Sequence, residues 1–191
     1  MTTTINESPT RVVDGVELPV TGTWTIDPGH AQIGFLGRHL KFTKVRGRFS
    51  DVSGSVEVAD DPGDTTVDVT IGMNSVDTGN DVRDEHLRSA DLFDVAHFPI
   101  ATFRGTAHDW HGSSGSLAGE LTIKGVSRRV VFDVSYLGFV EDPWDGKRIV
   151  FTASTTINRD DFGVTWNMAL EAGGLLVSKE IALEVEFEAT R

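Results

Sequence analysis

The chain has 191 residues, of which 39% are hydrophobic, and a formal net charge of -12. A chain of this length suits one domain with a substantial core. The excess of acidic residues argues against a nucleic-acid partner, because phosphate binding requires a basic face. The chain has no cysteine, which excludes disulfides, thiolate nucleophiles and cysteine-type zinc sites.

The first residues are rich in threonine, proline and small polar residues. Residues 1–21 are therefore predicted to form a flexible N-terminal arm, and residues 22–191 a single domain. A basic start followed by an apolar run is absent, so neither a signal peptide nor a membrane anchor is expected. The predicted location is cytoplasmic.

Strict alternation of apolar and polar residues recurs along the chain, most clearly at 181–188, where Ile181, Leu183, Val185 and Phe187 alternate with polar or small residues. Similar patterns occur at 67–71, 117–124, 132–136 and 149–157, and Gly, Pro, Asp and Ser mark the turns between them. About eight strands joined as successive hairpins are predicted. Such strands can close into an all-β, eight-stranded antiparallel barrel, whose interior is either filled or holds one small ligand.

One segment, DVRDEHLRSADLFDVAHFP at 81–99, departs from this alternation. A short helical crossover is predicted near residues 81–94, capped by Asn80 or Asp81 and ended before Pro99. Its charged residues are interpreted as a solvated face rather than as general acids and bases. The apolar residues expected to turn inward are Val82, Leu87, Leu92, Phe93, Val95 and Phe98.

The histidines are considered as polar ligand contacts. Ile33, Phe35, Gly37 and His39 share one face of a strand that starts at Ala31, and the apolar members indicate that this face is inward. His39 either contacts a ligand head group or is structural, and both remain open; His30, in a Pro-Gly turn, is expected to be structural. No HExxH or GxSxG pattern is present, so neither a metal nor a serine nucleophile is expected.

Four segments, at 24–49, 82–103, 119–134 and 157–164, resemble the YceI-like family of polyisoprenoid-binding proteins. They include WTIDPGHAQIGF, GELTIKGVSRRVVFDV and INRDDFGV. The resemblance implies a lipocalin-like extended barrel whose apolar tunnel holds a long isoprenoid chain, such as that of a quinone. It implies a binding role without a reaction. Many family members carry a signal peptide, and this chain departs from them there.

The predicted function is therefore non-enzymatic binding, sequestration or transport of an isoprenoid or quinone-like lipid, with no other cofactor. Two alternatives remain: an isomerase or hydrolase that uses His39 and a carboxylate of 81–94 in the same tunnel, and a stress-related structural protein with a filled barrel. The predicted ligand-binding residues are Ile33, Phe35, His39, Leu87, Phe93, Phe98, Phe103, Leu121, Ile123, Phe132, Val134, Phe151 and Trp166.

The net charge also bears on membranes and assembly. A charge of -12 predicts repulsion from anionic bilayers, so lipid would be collected by transient contact, without stable membrane insertion, and salt would ease that contact. A homodimer formed through a face other than the acidic one is compatible with the sequence.

Overall fold

The computed structural model describes residues 8–40, 42–141, 146–168 and 176–191. Its strands are β1 (Thr10–Val13), β2 (Val16–Pro19), β3 (Gly22–His39), β4 (Thr43–Phe49), β5 (Val52–Val58), β6 (Thr66–Gly72), β7 (Val76–Asp77), β8 (Ile100–His111), β9 (Ser114–Ile123), β10 (Val126–Glu141), β11 (Lys147–Asn158) and β12 (Glu180–Thr190). Helix α1 spans Asp81–Arg88, and 3₁₀ turns cover Pro62–Asp64, Met73–Ser75 and Arg159–Phe162.

Eight of these strands close into an antiparallel barrel, in the order β3, β5, β6, β8, β9, β10, β11 and β12, with β12 pairing back onto β3. The predicted all-β, eight-stranded barrel with one short helix is thereby confirmed. Closure gives these strands partners on both sides, which removes the exposed edges that promote aggregation.

Strand β3 is longer than the alternation predicts, because Asp27–His30 belong to it. Ala31 pairs with Phe187 and Ile26 with Ala189, so the four intervening residues bulge opposite the single residue Glu188. Beyond the bulge, the first part of β3 pairs with β5 and its last part with β4. The Asp-Pro-Gly-His segment is therefore a bulge within a strand, where a turn before the strand was expected.

Helix α1 connects β7 to the segment before β8. The Asn80 side chain accepts a hydrogen bond from Arg83 N at 3.0 Å, so Asn80 is the N-cap. The helix ends at Arg88, and turns follow it to residue 97. One expectation for this segment is wrong, because Val82 is 79% exposed instead of inward. Asp84 is buried and is an exception to the mostly solvated charged face, to which the exposed Asp81 and Glu85 belong.

Part of the predicted flexible arm, from residue 8 onward, is an ordered hairpin in the structure. β1 and β2 form a hairpin whose turn residues, Asp14 and Gly15, both have positive φ. Its Leu18 is buried in a cluster with Trp24, which closes one end of the barrel. This hairpin is packed because its apolar side chains cover the barrel end; residues 1–7 lie outside the described part.

Candidate functional site: an apolar cavity in the barrel

The barrel encloses a cavity of about 530 Å³ at the end opposite the N-terminal hairpin. Its wall is formed by β3, β4, β8, β9 and β12, by helix α1 and by the segment between β11 and β12. The exposed residues Arg38 and Thr43 belong to the lining, so the cavity reaches the surface at the turn between β3 and β4. This opening is called the mouth below.

Eight of the thirteen predicted ligand-binding residues line this cavity. They come from four parts of the chain that are far apart in sequence: Ile33, Phe35, His39, Leu87, Phe93, Leu121, Ile123 and Trp166. An aromatic row runs along the wall, with ring centroids 5.5 Å apart for Phe35 and Phe49 and 5.8 Å apart for Phe49 and Phe93. The site is thus a largely apolar compartment built mostly from inward positions of strands.

The other five predicted residues lie elsewhere. Val134 and Phe151 line a second, smaller cavity of about 60 Å³ beneath the N-terminal hairpin. Phe103 and Phe132 are buried in the core, and Phe98 packs over the turn between β9 and β10, where a Cβ on Gly125 would lie 2.8 Å from its ring. The alternation of apolar and polar residues correctly predicts that the strand residues among these five point inward. It does not predict how deep in the barrel each side chain lies.

The two cavities are separated by core side chains, so the barrel does not contain one continuous tunnel. On β8, Ala101 lines the large cavity and Ala107 the small one, with Phe103 between them. The Phe103 ring covers Gly119, where an added Cβ would come within 2.7 Å of Phe103 Cζ. The same Cβ would also clash with Arg104 O, so glycine at 119 permits the close approach of the β8 backbone as well as of this ring, and the ring lies between the two cavities.

A few polar groups interrupt the apolar lining. Thr78, Arg83 and His86 contribute from the helix side, and His39 and Arg159 also line the cavity. Arg83 Nε donates to Thr78 Oγ1 at 2.7 Å, and Thr78 N donates to the buried carboxylate of Asp84 at 3.0 Å. This network holds the Arg83 side chain against the cavity wall, and the Asp84 carboxylate is occupied by its hydrogen bonds to Thr78.

Arg159 is the buried cation of the site, at 7% exposure. Its Nε donates to Ser178 O at 3.0 Å, and its Nη1 donates to Val164 O at 2.5 Å and to Trp166 O at 2.9 Å. Burial lowers the pKa of this guanidinium because it disfavours the charged form. Arg159 therefore ties together the backbone that forms one wall of the cavity.

Sequence reasoning missed Arg159, Arg83, His86 and Thr78 as cavity residues. The His86 ring packs edge-on against Trp166, with 4.4 Å between ring centroids, which joins helix α1 to the segment after β11. These residues lie in charged or loop-like stretches where no alternation gives their direction. For Arg83, His86 and Arg159 the only signal was that 82–103 and 157–164 belong to the segments carrying the family resemblance; Thr78 lies outside these segments. Within the described residues, no Asp or Glu lines the cavity.

A separate charged cluster lies at the β3 bulge. The ligand atoms of Asp27, His30 and Glu188 are all within 4.8 Å of one another, a spacing that could hold a metal ion. Arg148 forms ion pairs with Asp27 and, at 3.0 Å, with Glu188. The guanidinium already supplies positive charge there, so the cluster is interpreted as a structural ion-pair network. His30, bonded to Asp27 at 2.9 Å, belongs to this network and not to the cavity.

These features define a class of protein: a closed antiparallel β-barrel with one large apolar cavity that opens at one end. None of the helices in the described part of the chain is long and apolar enough to cross a bilayer.

The family model for the YceI-like domain matches residues 24–189. A UPF0312 protein of Pseudomonas aeruginosa is 38% identical over 158 residues, which cover 82% of this chain and 81% of that protein. The chain belongs to the YceI-like family.

Solved structures agree with the fold. The structure of Burkholderia cenocepacia BcnA has a TM-score of 0.75 and 21% identity, over 86% of this chain and 99% of that chain. A polyisoprenoid binding domain from Saccharophagus degradans has a TM-score of 0.64 and 20% identity, over 90% of this chain and 99% of that chain. Both similarities show the shared barrel.

Proposed function

We propose that this protein binds a long isoprenoid or quinone-like lipid in the large cavity and sequesters or carries it without chemical change. The observation that carries the proposal is the 530 Å³ cavity, which has an apolar wall and a few polar groups. Burial of each methylene contributes roughly 0.8 kcal/mol, so a chain of a few isoprene units offsets the cost of its immobilisation. Membership of the YceI-like family and the likeness to a polyisoprenoid binding domain support this class of ligand.

The cavity volume sets the length of chain that it holds. A cavity of about 150 Å³ accommodates one benzene ring, so 530 Å³ accommodates roughly 20 carbon atoms, or about four isoprene units. A longer ligand would leave the remainder of its chain outside the mouth or displace core side chains.

The polar groups suit an oxygen-bearing head group. Donor nitrogens that could meet a carbonyl or hydroxyl oxygen are carried by lining residues that include His39, Arg83, His86 and Arg159, and Arg159 Nη2 has no hydrogen-bond partner in the described part of the chain. Because the alternative enzyme requires a carboxylate beside His39, the lack of acidic lining among the described residues favours binding over acid–base catalysis.

Native mass spectrometry of the purified protein, followed by solvent extraction of its lipid, tests the proposal. A stoichiometric isoprenoid or quinone is the expected result. Leu183→Trp fills the cavity and should abolish retention, whereas Glu184→Trp, on the outward face of the same strand, should retain the lipid. An empty protein that also ignores added quinones and polyprenols would overturn the proposal. Turnover of an apolar substrate that is lost in His39→Ala with binding intact would identify an enzyme instead.

A further inference from the structure

The turn between β3 and β4 forms the mouth and differs in charge from the rest of the protein. Residues 38–48, with the sequence RHLKFTKVRGR, contain five of the 17 basic residues and no acidic residue, in a chain of net charge -12. This segment is called the mouth hairpin below. Charges separated by more than the Debye length of about 8 Å are largely screened at physiological salt, so a surface in contact with the mouth hairpin senses its local positive charge.

Most of these cations are not used inside the protein. Arg38 and Lys44 are direct cross-strand partners, and Arg46 is opposite Leu36 on the same exposed face. In the described part of the chain, Arg38, Lys44 and Arg46 form no ion pair, whereas Arg48 is paired with Asp77 at 3.0 Å. Like charges directly opposite one another destabilise a strand pair, so this arrangement does not serve the fold.

Two acidic groups at the same end of the barrel are engaged elsewhere, whereas the exposed Glu180 of β12 forms no ion pair within the described residues. Asp160 pairs with Lys179 at 2.6 Å, and Asp84 is buried against Thr78. The outward acid Glu184 on β12 pairs with Gly34, which lies further from the mouth than Arg38. The positive charge of the mouth hairpin is therefore not neutralised by these carboxylates.

The mouth also exposes apolar side chains. Phe42, at the tip of the mouth hairpin, is 84% exposed, and Leu40 and Met168 are 41% and 55% exposed. Leu40 N donates to Leu176 O, and Leu176 N donates to Met168 O, both at 2.9 Å, so these residues form one rim. Leu176 itself lines the cavity, which places the exposed apolar rim directly at its opening.

We propose that the mouth hairpin docks on the surface of an anionic lipid bilayer. Cations beside exposed aromatic and aliphatic side chains are the combination that binds the interface of such a membrane. Charge complementarity selects this partner, because Lys44 and Arg46 would face lipid phosphates while Phe42 and Leu40 enter the interface. The proposal rests on the proposed function: docking brings the cavity opening to the membrane, so that a lipid chain enters without crossing water.

Vesicle flotation tests the proposal with phosphatidylcholine vesicles, with and without phosphatidylglycerol. The native protein should float only with the anionic vesicles, and less as salt rises; the net charge alone predicts the opposite dependence on salt. Lys44→Glu with Arg46→Glu should weaken binding by roughly tenfold or more. Arg104→Glu with Arg191→Glu changes the net charge equally at exposed sites outside the mouth hairpin and should bind as the native protein does.

A second pair of variants measures how much the exposed apolar side chains, as distinct from the cations, contribute to vesicle binding. Phe42→Ser should reduce flotation, whereas Leu137→Ser, which removes another exposed apolar side chain from β10, should not. Equal losses in the test and control variants, or no flotation of the native protein, would overturn the proposal. A native dimer that both mouth variants dissociate, without vesicle binding, would instead identify the mouth hairpin as an interface between two copies.

Loading from detergent micelles distinguishes failure of docking from failure of the proposed function. The mouth variants should take up a quinone from micelles as the native protein does, and lose uptake only from vesicles. If the native protein takes up no lipid from micelles yet floats with anionic vesicles, the proposed function fails and the docking surface stands.

Discussion

The rings of Phe103 and Phe132 meet edge to face inside the barrel, with 5.1 Å between their centroids. Both side chains are buried, and Phe103 lies at the level between the large and the small cavity. This aromatic pair therefore marks the inner limit of the large cavity.

Removal of one ring should lengthen the ligand that the protein retains. Phe103→Ala opens space between the cavities and should destabilise the fold by about 3–5 kcal/mol, because it leaves a void in a packed core. The length of bound polyprenols, measured by mass spectrometry after loading from a mixture, should increase. A folded variant that retains the same chain lengths as the native protein would show that Phe103 does not limit the cavity.

Replacement of Arg159 should destabilise the wall of the cavity. Arg159→Met removes donors from three backbone carbonyls and should lower the free energy of unfolding by about 3 kcal/mol. Urea unfolding measures this change. The matched control is Arg104→Met, which breaks an exposed pair with Asp68 and should cost at most about 1 kcal/mol. Equal effects of the two substitutions would contradict the structural role of Arg159.

The ion-pair network at the β3 bulge should contribute to acid sensitivity. The hydrogen bond from Arg148, followed by those from His30 and Gly29 N, lowers the pKa of Asp27 to about 2. Because the folded-state pKa lies below the unfolded value of about 3.9, this carboxylate stabilises the fold above that value, and the contribution is lost as pH falls toward 2.

Asp27→Asn tests this dependence. At neutral pH the variant should be less stable by about 1 kcal/mol, since the site is partly solvated, and the difference should shrink between about pH 4 and 2. Unfolding by urea at a series of pH values measures it. A difference that stays constant down to the lowest pH would show that Asp27 is not responsible.

The N-terminal hairpin should behave as part of the barrel. Leu18→Ala truncates a buried side chain and should destabilise the whole domain by about 2–4 kcal/mol. Val12→Ala, on the same hairpin at a position that is 74% exposed, should change stability by less than about 0.5 kcal/mol. Thermal unfolding measures both. If Leu18→Ala leaves the midpoint unchanged, the hairpin is not coupled to the fold.

Alternation was sufficient to predict the barrel because one face of each strand is buried. In β12, Ile181 and Leu183 line the cavity while Glu184 and Glu186 are exposed, which is the pattern that period-2 reasoning detects. The cap at Asn80 was also predictable, since its side chain satisfies a free backbone N–H by a local contact.

Other features depend on contacts that are distant in sequence. Phe103 and Phe35 both point inward, but only Phe35 lines the large cavity, because depth depends on which neighbouring rings fill the barrel. Asp84 is buried because Thr78 satisfies it, which composition does not reveal. The N-terminal hairpin has a local signal in Asp14-Gly15, a dipeptide typical of a tight hairpin turn, which the prediction of a flexible arm from polar composition did not use.

The end of the barrel opposite the mouth is closed, and this closure constrains the order in which bound lipids would be exchanged. Leu18 and Trp24 fill that end, so a chain that enters at the mouth must leave by the same route. Under the proposed function, the hydrocarbon tail would go in first and come out last, and a second lipid could not push the first one through. Exchange would therefore be sequential, and its rate would depend on how often the occupied opening empties.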